Sequence, residues 1–310
     1  MSQLLLVGDV RETLKQLSDQ SVNCCVTSPP YWGLRDYGHN GQIGLEQTPD
    51  QYIEELVAVF REVKRVLRDD GTLWLNIGDS YASFRDGKVT PDTARGESVG
   101  TFVQKGKASN RKASTFEGTP IKHKDLVGIP WMLAFALRAD GWYLRQDIIW
   151  HKPNPMPESV RDRCTKSHEY IFLLSKSDKY YFDTQAIREP SAGLGKTKIR
   201  FGGKKYGDSD DPKHATKSGN EYTDSGFRNK RSVWTITTKP FKGAHFATFP
   251  PNLIKPCILA GCPEGGTVLD PFFGSGTTGL VAQQHQRGWI GCELNPEYAL
   301  LAKTRTGTQQ

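Results

Sequence analysis

The sequence predicts a doubly wound, mostly parallel α/β sheet with an antiparallel hairpin at one edge. Three observations carry that expectation. Apolar runs of strand length alternate with helical segments along the chain, the order that parallel strands joined by crossover helices require. Two of the runs end in proline- or glycine-bearing turns, TSPPYWG at 27–33 and DPFFGSGTT at 270–278, where a parallel sheet presents its ligand-binding edge. EYIFLLSKSDKYYFD, residues 169–183, reads as two strands folded about a turn near Ser177 and Asp178.

Taken in order, LLLVGD reads as a strand, VRETLKQL as a helix and SVNCCVTS as a second strand. The segment from 48 to 71 is a punctuated helix. Thr48 caps it, Pro49 suits its first position and Gln51 completes a capping box. Ile53, Leu56, Val57, Phe60, Val63 and Leu67 form its apolar face, and Asp69, Asp70 and Gly71 are expected to stop it. TLWLNIGD resumes as a strand. Residues 82–124 are rich in Gly, Ser, Thr and Lys with little periodicity, the pattern of a long mobile loop. A helix (LVGIPWMLAFALRADG) and a strand (WYLRQDIIWHK) precede the hairpin. A second irregular stretch, about 190–245, holds 12 Lys and Arg against 5 Asp and Glu. Then come a helix (NLIKPCILAGC), a strand (GTVLDPF), a helix (TTGLVAQQHQR), a strand (WIGCEL) and a last helix (PEYALLAK). The 310 residues are expected to form a single domain with two insertions.

A net charge of +7 leans towards a polyanionic partner. The six cysteines, at 24, 25, 164, 257, 262 and 292, match no zinc spacing and read as reduced, mostly buried thiols. His151, His168 and His245 also lack ligand spacing, so no metal is expected. The start, MSQLLLVGDV, has no basic region before its short apolar run, and no stretch approaches membrane-spanning length. A cytoplasmic protein is expected.

VLDPFFGSGTTGL carries the sharpest chemical signal in the C-terminal half. A β-branched strand ends in Asp270, a loop with Gly274 and Gly276 follows, and a helix starts near Thr277. Such a turn lets a ligand lie against backbone and offers free helical N–H groups. The next strand ends in Glu293, an acid placed to accept hydrogen bonds from ribose hydroxyls. A nucleoside ligand fits. A dinucleotide does not, because the third glycine of the dinucleotide fingerprint is missing and two acids oppose a pyrophosphate; nor does any Gly-Lys-Ser/Thr mark a P-loop.

With both turns in view, the chain resembles the amino-group DNA methyltransferases that use S-adenosylmethionine. TSPPY resembles that family's catalytic motif, DPFFGSGTT its cofactor loop and CELNPEY its ribose-binding strand end. LLLVGD resembles the segment whose acid, here Asp9, approaches the cofactor adenine, and HFATFPPNLIKP the segment over the methionine end. The resemblance implies a Rossmann-like fold with circularly permuted motif order, since the catalytic motif precedes the cofactor loop by some 240 residues. That order is similar to the family's β group, in which the stretch before the cofactor loop reads DNA. Catalytic positions implied are Ser28, Pro29, Pro30 and Tyr31. Cofactor positions implied are Asp9, Phe246, Pro250, Leu253, Asp270, Pro271, Phe272, Gly274, Ser275, Gly276, Thr277, Glu293 and Asn295.

An exocyclic amine is a poor nucleophile because its lone pair is delocalised into the ring. The task is therefore alignment and polarisation, with Ser28 Oγ and the Pro29 carbonyl as acceptors and Tyr31 stacking on a flipped base. Trp32 either extends that stacking wall or packs beneath the loop. Serine at the first motif position is typical of the family's N4-cytosine members and aspartate of its N6-adenine members, so cytosine N4 in double-stranded DNA is the expected target. Adenine N6 is the alternative, and a non-catalytic DNA-binding protein on the same fold a second. Lys204, Lys205, Arg228, Lys230 and Arg231 are the candidate DNA contacts, with Arg161 and Arg163 in HKPNPMPESVRDR, a segment resembling one beside the flipped base. Such enzymes often dimerise, so a homodimer is carried as an expectation.

Overall fold

The structure, a computed structural model, describes residues 2–34, 36–82, 116, 119–191, 198–200, 221–223, 226–238 and 249–308. The chain opens with β1 (Gln3–Val7), a short α1 (Val10–Thr13) and β2 (Val22–Thr27). Next come α2 (Pro49–Val66), β3 (Leu67–Ile77), α3 (Ile129–Ala139), β4 (Tyr143–His151) and β5 (His168–Ser175). Four short strands follow: β6 (Glu189–Pro190), β7 (Lys198–Arg200), β8 (Glu221–Thr223) and β9 (Phe227–Arg228). The rest are β10 (Val233–Thr235), α4 (Pro251–Gly261), β11 (Thr267–Asp270), α5 (Thr277–Gln284), β12 (Gly288–Glu293) and α6 (Pro296–Thr306).

Eight strands form one sheet in the order β1-β12-β11-β2-β3-β5-β4-β10. All run parallel except β5, which is antiparallel to both neighbours. The central strands are mostly apolar where both sheet faces are covered. Cys25, Leu73, Leu75 and Leu269 face a core shared with Tyr52, Leu56, Phe60 and Val63 of α2 and Leu133 of α3. Alternation sends Cys24, Thr72 and Trp74 to the opposite face, against α4. A Cβ at Gly261, the last residue of α4, would lie within 2.9 Å of all three of those side chains. The predicted capping box is present: Thr48 Oγ1 accepts the Gln51 N–H, and the Gln51 side chain accepts the Thr48 N–H.

The hairpin is formed by other residues than expected. Its first arm is β5, but the antiparallel partners are β3 on one side and β4 on the other. With both edges of β5 taken, the chain after Ser175 has no edge to join. It crosses the strand ends instead, where the Lys176 N–H donates to Gly71 O and the Tyr181 N–H to Asp70 O. Asp69, Asp70 and Gly71 likewise do more than stop α2, which ends at Val66. They lie in an irregularity of β3, whose pairing jumps from Val22–Leu67 to Cys24–Thr72.

The chain divides into two compact units, 1–183 with 232–310, and 184–231. The second unit begins just before the basic insertion and takes in most of it. In it β6 pairs with β9, β7 with β8, and the Glu189 carboxylate accepts hydrogen bonds from Arg228 and Arg231. Most of the first insertion lies outside the described residues. Its two ends meet where Tyr81 bridges Leu126. Among the described residues no helix is long and apolar enough to cross a membrane.

Candidate active site

The two predicted turns are neighbours in space because β2 lies beside β11. One buried carboxylate bolts them together. Asp270 accepts hydrogen bonds from Thr27 Oγ1 and Thr278 Oγ1, each at 2.6 Å, and from the Phe272 N–H at 3.1 Å. Burial pushes its carboxyl up to about 6, against the pull of those three donors. Asp270 therefore joins β2, β11 and α5 and does not reach the cavity wall.

That cavity, about 840 Å³, opens at the carboxyl edge of the sheet. β1 delivers Asp9 to it, β2 Ser28 to Tyr31, β3 Asp79, β4 Lys152, β11 Pro271 to Ser275, and β12 Glu293 and Asn295. The reversed strand β5 starts at this edge, so it contributes His168 and Glu169. Of the predicted cofactor residues, Asp9, Pro271, Phe272, Gly274, Ser275, Thr277, Glu293 and Asn295 line the wall. Gly276 does not: it caps α5 at φ 77° and packs against Ala302 and Phe273. Pro250 and Leu253 are buried at the start of α4, and Phe249 lines the wall in their stead. Phe246 lies outside the described residues.

The cofactor half is built on backbone. Glu293 Oε2 accepts the Gly274 N–H at 2.7 Å and Oε1 the Asn295 N–H at 2.8 Å, leaving one lone pair on each oxygen for a ligand. Burial holds the Glu293 carboxyl above the ordinary range, opposed by those N–H groups. Phe273 is seated in a slot made by glycines: a Cβ at Gly291 would lie 2.4 Å from its ring and one at Gly279 2.6 Å. Stacked on Trp289 at 4.9 Å, that ring fixes the loop between Asp270 and Gly274. Asp9 is also committed, since Arg11 donates to both its oxygens.

The other half surrounds the proline turn. Tyr52 Oη donates to Pro30 O at 2.7 Å, and Trp32, buried against Phe116, donates from Nε1 to Glu46 O. Trp32 thus packs beneath the loop. The Tyr31 ring lies on Gly78, where a Cβ would be 2.5 Å from Cε2. Its phenol donates to Glu169 Oε2 at 2.7 Å. Burial pushes that phenol far up; Glu169 adds to the shift and a hydrogen bond with Ser28 opposes it. Asp79 and Lys166 face the same wall, and burial moves each towards its neutral form, the acid up and the amine down.

Three comparisons with known proteins bear on this site. The DNA methylase family model matches residues 22–304. A type II methyltransferase, M.SmaI of Serratia marcescens, is 52% identical over 301 residues, covering 97% of this chain and 89% of that one. M.Cfr9I of Citrobacter freundii, another type II methyltransferase, is 51% identical over 301 residues, covering 97% and 86%. The chain belongs to the DNA methylase family. Among solved structures, TTHA0409 of Thermus thermophilus, a putative DNA modification methylase complexed with S-adenosyl-L-methionine, superposes with a TM-score of 0.59 at 26% identity, covering 98% and 93%. The PvuII DNA methyltransferase, described as cytosine-N4-specific, gives 0.62 at 19% identity, covering 97% and 85%, and shows the fold.

In this methylase the residues that the sequence singles out for DNA take different places. Lys204 and Lys205 lie outside the described residues. Arg228 and Arg231 pair with Glu189, and Lys230, beside them, is half-buried. Arg161 is exposed, whereas Arg163 pairs with Glu158 and stacks 3.8 Å from the Tyr81 ring centroid. The segment HKPNPMPESVRDR meets the cavity through Lys152, Asn154, Met156 and Glu158, not through its arginines. Sequence reasoning missed Gly78, Asp79, Lys152, Lys166 and Glu169. The signal for Gly78 and Asp79 was a third strand ending in GD; Glu169 carried none, since its place depends on the direction of β5.

Proposed function

We propose that this DNA methyltransferase moves a methyl group from S-adenosylmethionine to the exocyclic N4 of cytosine in duplex DNA. The observation that carries the reading is the neutral hydroxyl of Ser28 at the end of β2, beside Tyr31, in one cavity with the Glu293 carboxylate. The cofactor end suits a nucleoside: a buried acid with free lone pairs for ribose hydroxyls, a loop of backbone, and apolar walls in Phe272 and Phe249. S-adenosylmethionine supplies an already activated sulfonium methyl.

The chain's own groups supply alignment. Ser28 Oγ and the Pro29 carbonyl accept hydrogen bonds from the amino group, which draws its nitrogen towards a tetrahedral shape with a usable lone pair. Pro29 and Pro30 fix those acceptors, and Tyr52 holds the Pro30 carbonyl. Tyr31 stacks on the base once it has left the duplex, an exit costing roughly a few kcal/mol. As the nitrogen gains the methyl it loses one proton, which passes to water because serine is too weak a base. The basic segment 190–245 is the proposed DNA reader, in a cytoplasmic enzyme.

Mass spectrometry of nucleosides from unmethylated DNA, incubated with the protein and labelled S-adenosylmethionine, tests the proposal, with Ser28→Ala as control. Label in N4-methylcytosine, lost in the variant, is expected. Label in N6-methyladenine overturns the choice of base, and no label on any base overturns the catalytic reading.

A further inference from the structure

We infer that Glu169, held by Lys152, is a positioning residue for catalysis: it fixes the stacking face of Tyr31 by taking the phenol proton in a hydrogen bond. The inference rests on the methyltransferase reading above and extends it to two residues outside the catalytic turn.

The Tyr31 ring needs a fixed plane, because it is the surface on which a base would stack beside Ser28. Gly78 supports it from beneath, but backbone contact alone does not stop the ring from tilting about its Cβ. The phenol tip supplies the second point. Tyr31 Oη donates to Glu169 Oε2 at 2.7 Å, across 138 residues of chain. Glu169 is itself restrained. Lys152 Nζ donates to its Oε1, and Asn76 Nδ2, which donates to Tyr170 O at 3.0 Å, lies 3.4 Å from Oε2. The Lys152 and Glu169 side chains are 19% and 16% exposed, so the pair is largely out of water and its geometry is kept. The Lys152 ammonium also sits 4.3 Å from the Trp150 ring centroid, which restrains the lysine in turn.

The sheet explains why this set of residues converges. Lys152 follows the carboxyl end of β4, and Glu169 lies at the amino end of β5, opposite Trp150 in the ladder. Reversal of β5 is what brings its amino end to the ligand edge. Asn76 reaches the same point from β3, the other neighbour of β5. Tyr31, Asn76, Lys152 and Glu169 all line the one cavity.

Two substitutions separate reach from charge. Glu169→Gln keeps one acceptor oxygen for the Tyr31 phenol but turns its NH2 towards the Lys152 ammonium and loses that pair, whereas Glu169→Asp keeps the charge for Lys152 and withdraws the acceptor by one methylene. Single-turnover methyl transfer into unmethylated DNA is measured for each, counting label on whichever base takes it, with S-adenosylmethionine affinity measured separately by calorimetry. If Glu169 acts through Tyr31, E169D falls by about tenfold or more and E169Q, which keeps the acceptor but loses Lys152, falls less than E169D, with cofactor affinity unchanged in both. Tyr31→Phe, which removes the donor and also its hydrogen bond with Ser28, falls at least to the E169D level, and the double variant falls no further than Tyr31→Phe. The inference is overturned if E169D matches wild type, if E169Q is damaged as much as E169D, or if the Y31F and E169D losses add. Wild-type protein that labels no base fails the functional reading instead, since every variant is scored against it.

Discussion

Gly78→Ala tests the site most directly, because the three atoms its Cβ would meet first all belong to one ring. A Cβ on Gly78 would stand 2.5 Å from Tyr31 Cε2, 3.1 Å from Cδ2 and 3.2 Å from Cζ. Ordinary contact begins at 3.4 Å, so the nearest edge of the ring must retreat by about 0.9 Å (3.4 minus 2.5). The ring cannot slide in its own plane without stretching the 2.7 Å bond from its phenol to Glu169. It must lift from Gly78 and carry the stacking surface into the space meant for the base. A misplacement of about 1 Å costs up to about a hundredfold in rate, and overpacking costs about 1–3 kcal/mol in stability. Single-turnover methyl transfer should therefore fall by about ten- to a hundredfold, while S-adenosylmethionine affinity by calorimetry stays within about twofold. Circular dichroism would establish that the variant is folded. A folded variant with an unchanged rate would refute the role given to the ring, and an equal loss of cofactor affinity would refute the division of the cavity into two ends.

The cofactor end yields two further expectations. Ionised Glu293 is the form that accepts ribose hydroxyls, and burial raises its carboxyl. Affinity is thus full above that raised value and is lost as pH falls through it. S-adenosylmethionine binding, titrated calorimetrically from about pH 8 to about pH 5, should weaken before ordinary carboxylates protonate, and Glu293→Gln should bind weakly with no such slope. Arg305 of α6 clasps the loop, donating to Ser275 O at 2.9 Å, Ser275 Oγ at 2.6 Å and Thr277 Oγ1 at 3.1 Å. Arg305→Ala should raise the cofactor Kd by about tenfold, on the scale of one charged hydrogen bond, and an affinity within twofold of wild type would deny the clasp its role.

Much of the sheet was legible because its strand ends are chemically marked. Proline and glycine break the ladder at Pro29 and Gly274, and runs such as VNCCV and TLWLNI are mostly apolar because helices cover both faces. What was not legible depends on the direction and neighbours of a strand. HEYIFLLS has the same pattern whichever way it runs, yet only the antiparallel choice brings Glu169 to Tyr31, and its two neighbours, β3 and β4, leave DKYYFD without an edge to pair with. Asp270 shows the same limit at one residue. An acid that ends a strand before a glycine loop reads as a ligand group, but Thr27, 243 positions earlier, donates to it across the sheet. The permuted motif order costs the site nothing for the same reason. Leu269 is registered against Cys25, so the catalytic turn and the cofactor loop leave adjacent strands side by side, whichever of them the chain makes first. Chain order governs only what is threaded between the two turns, and here it is β4 and the reversed strand β5 that supply Lys152 and Glu169.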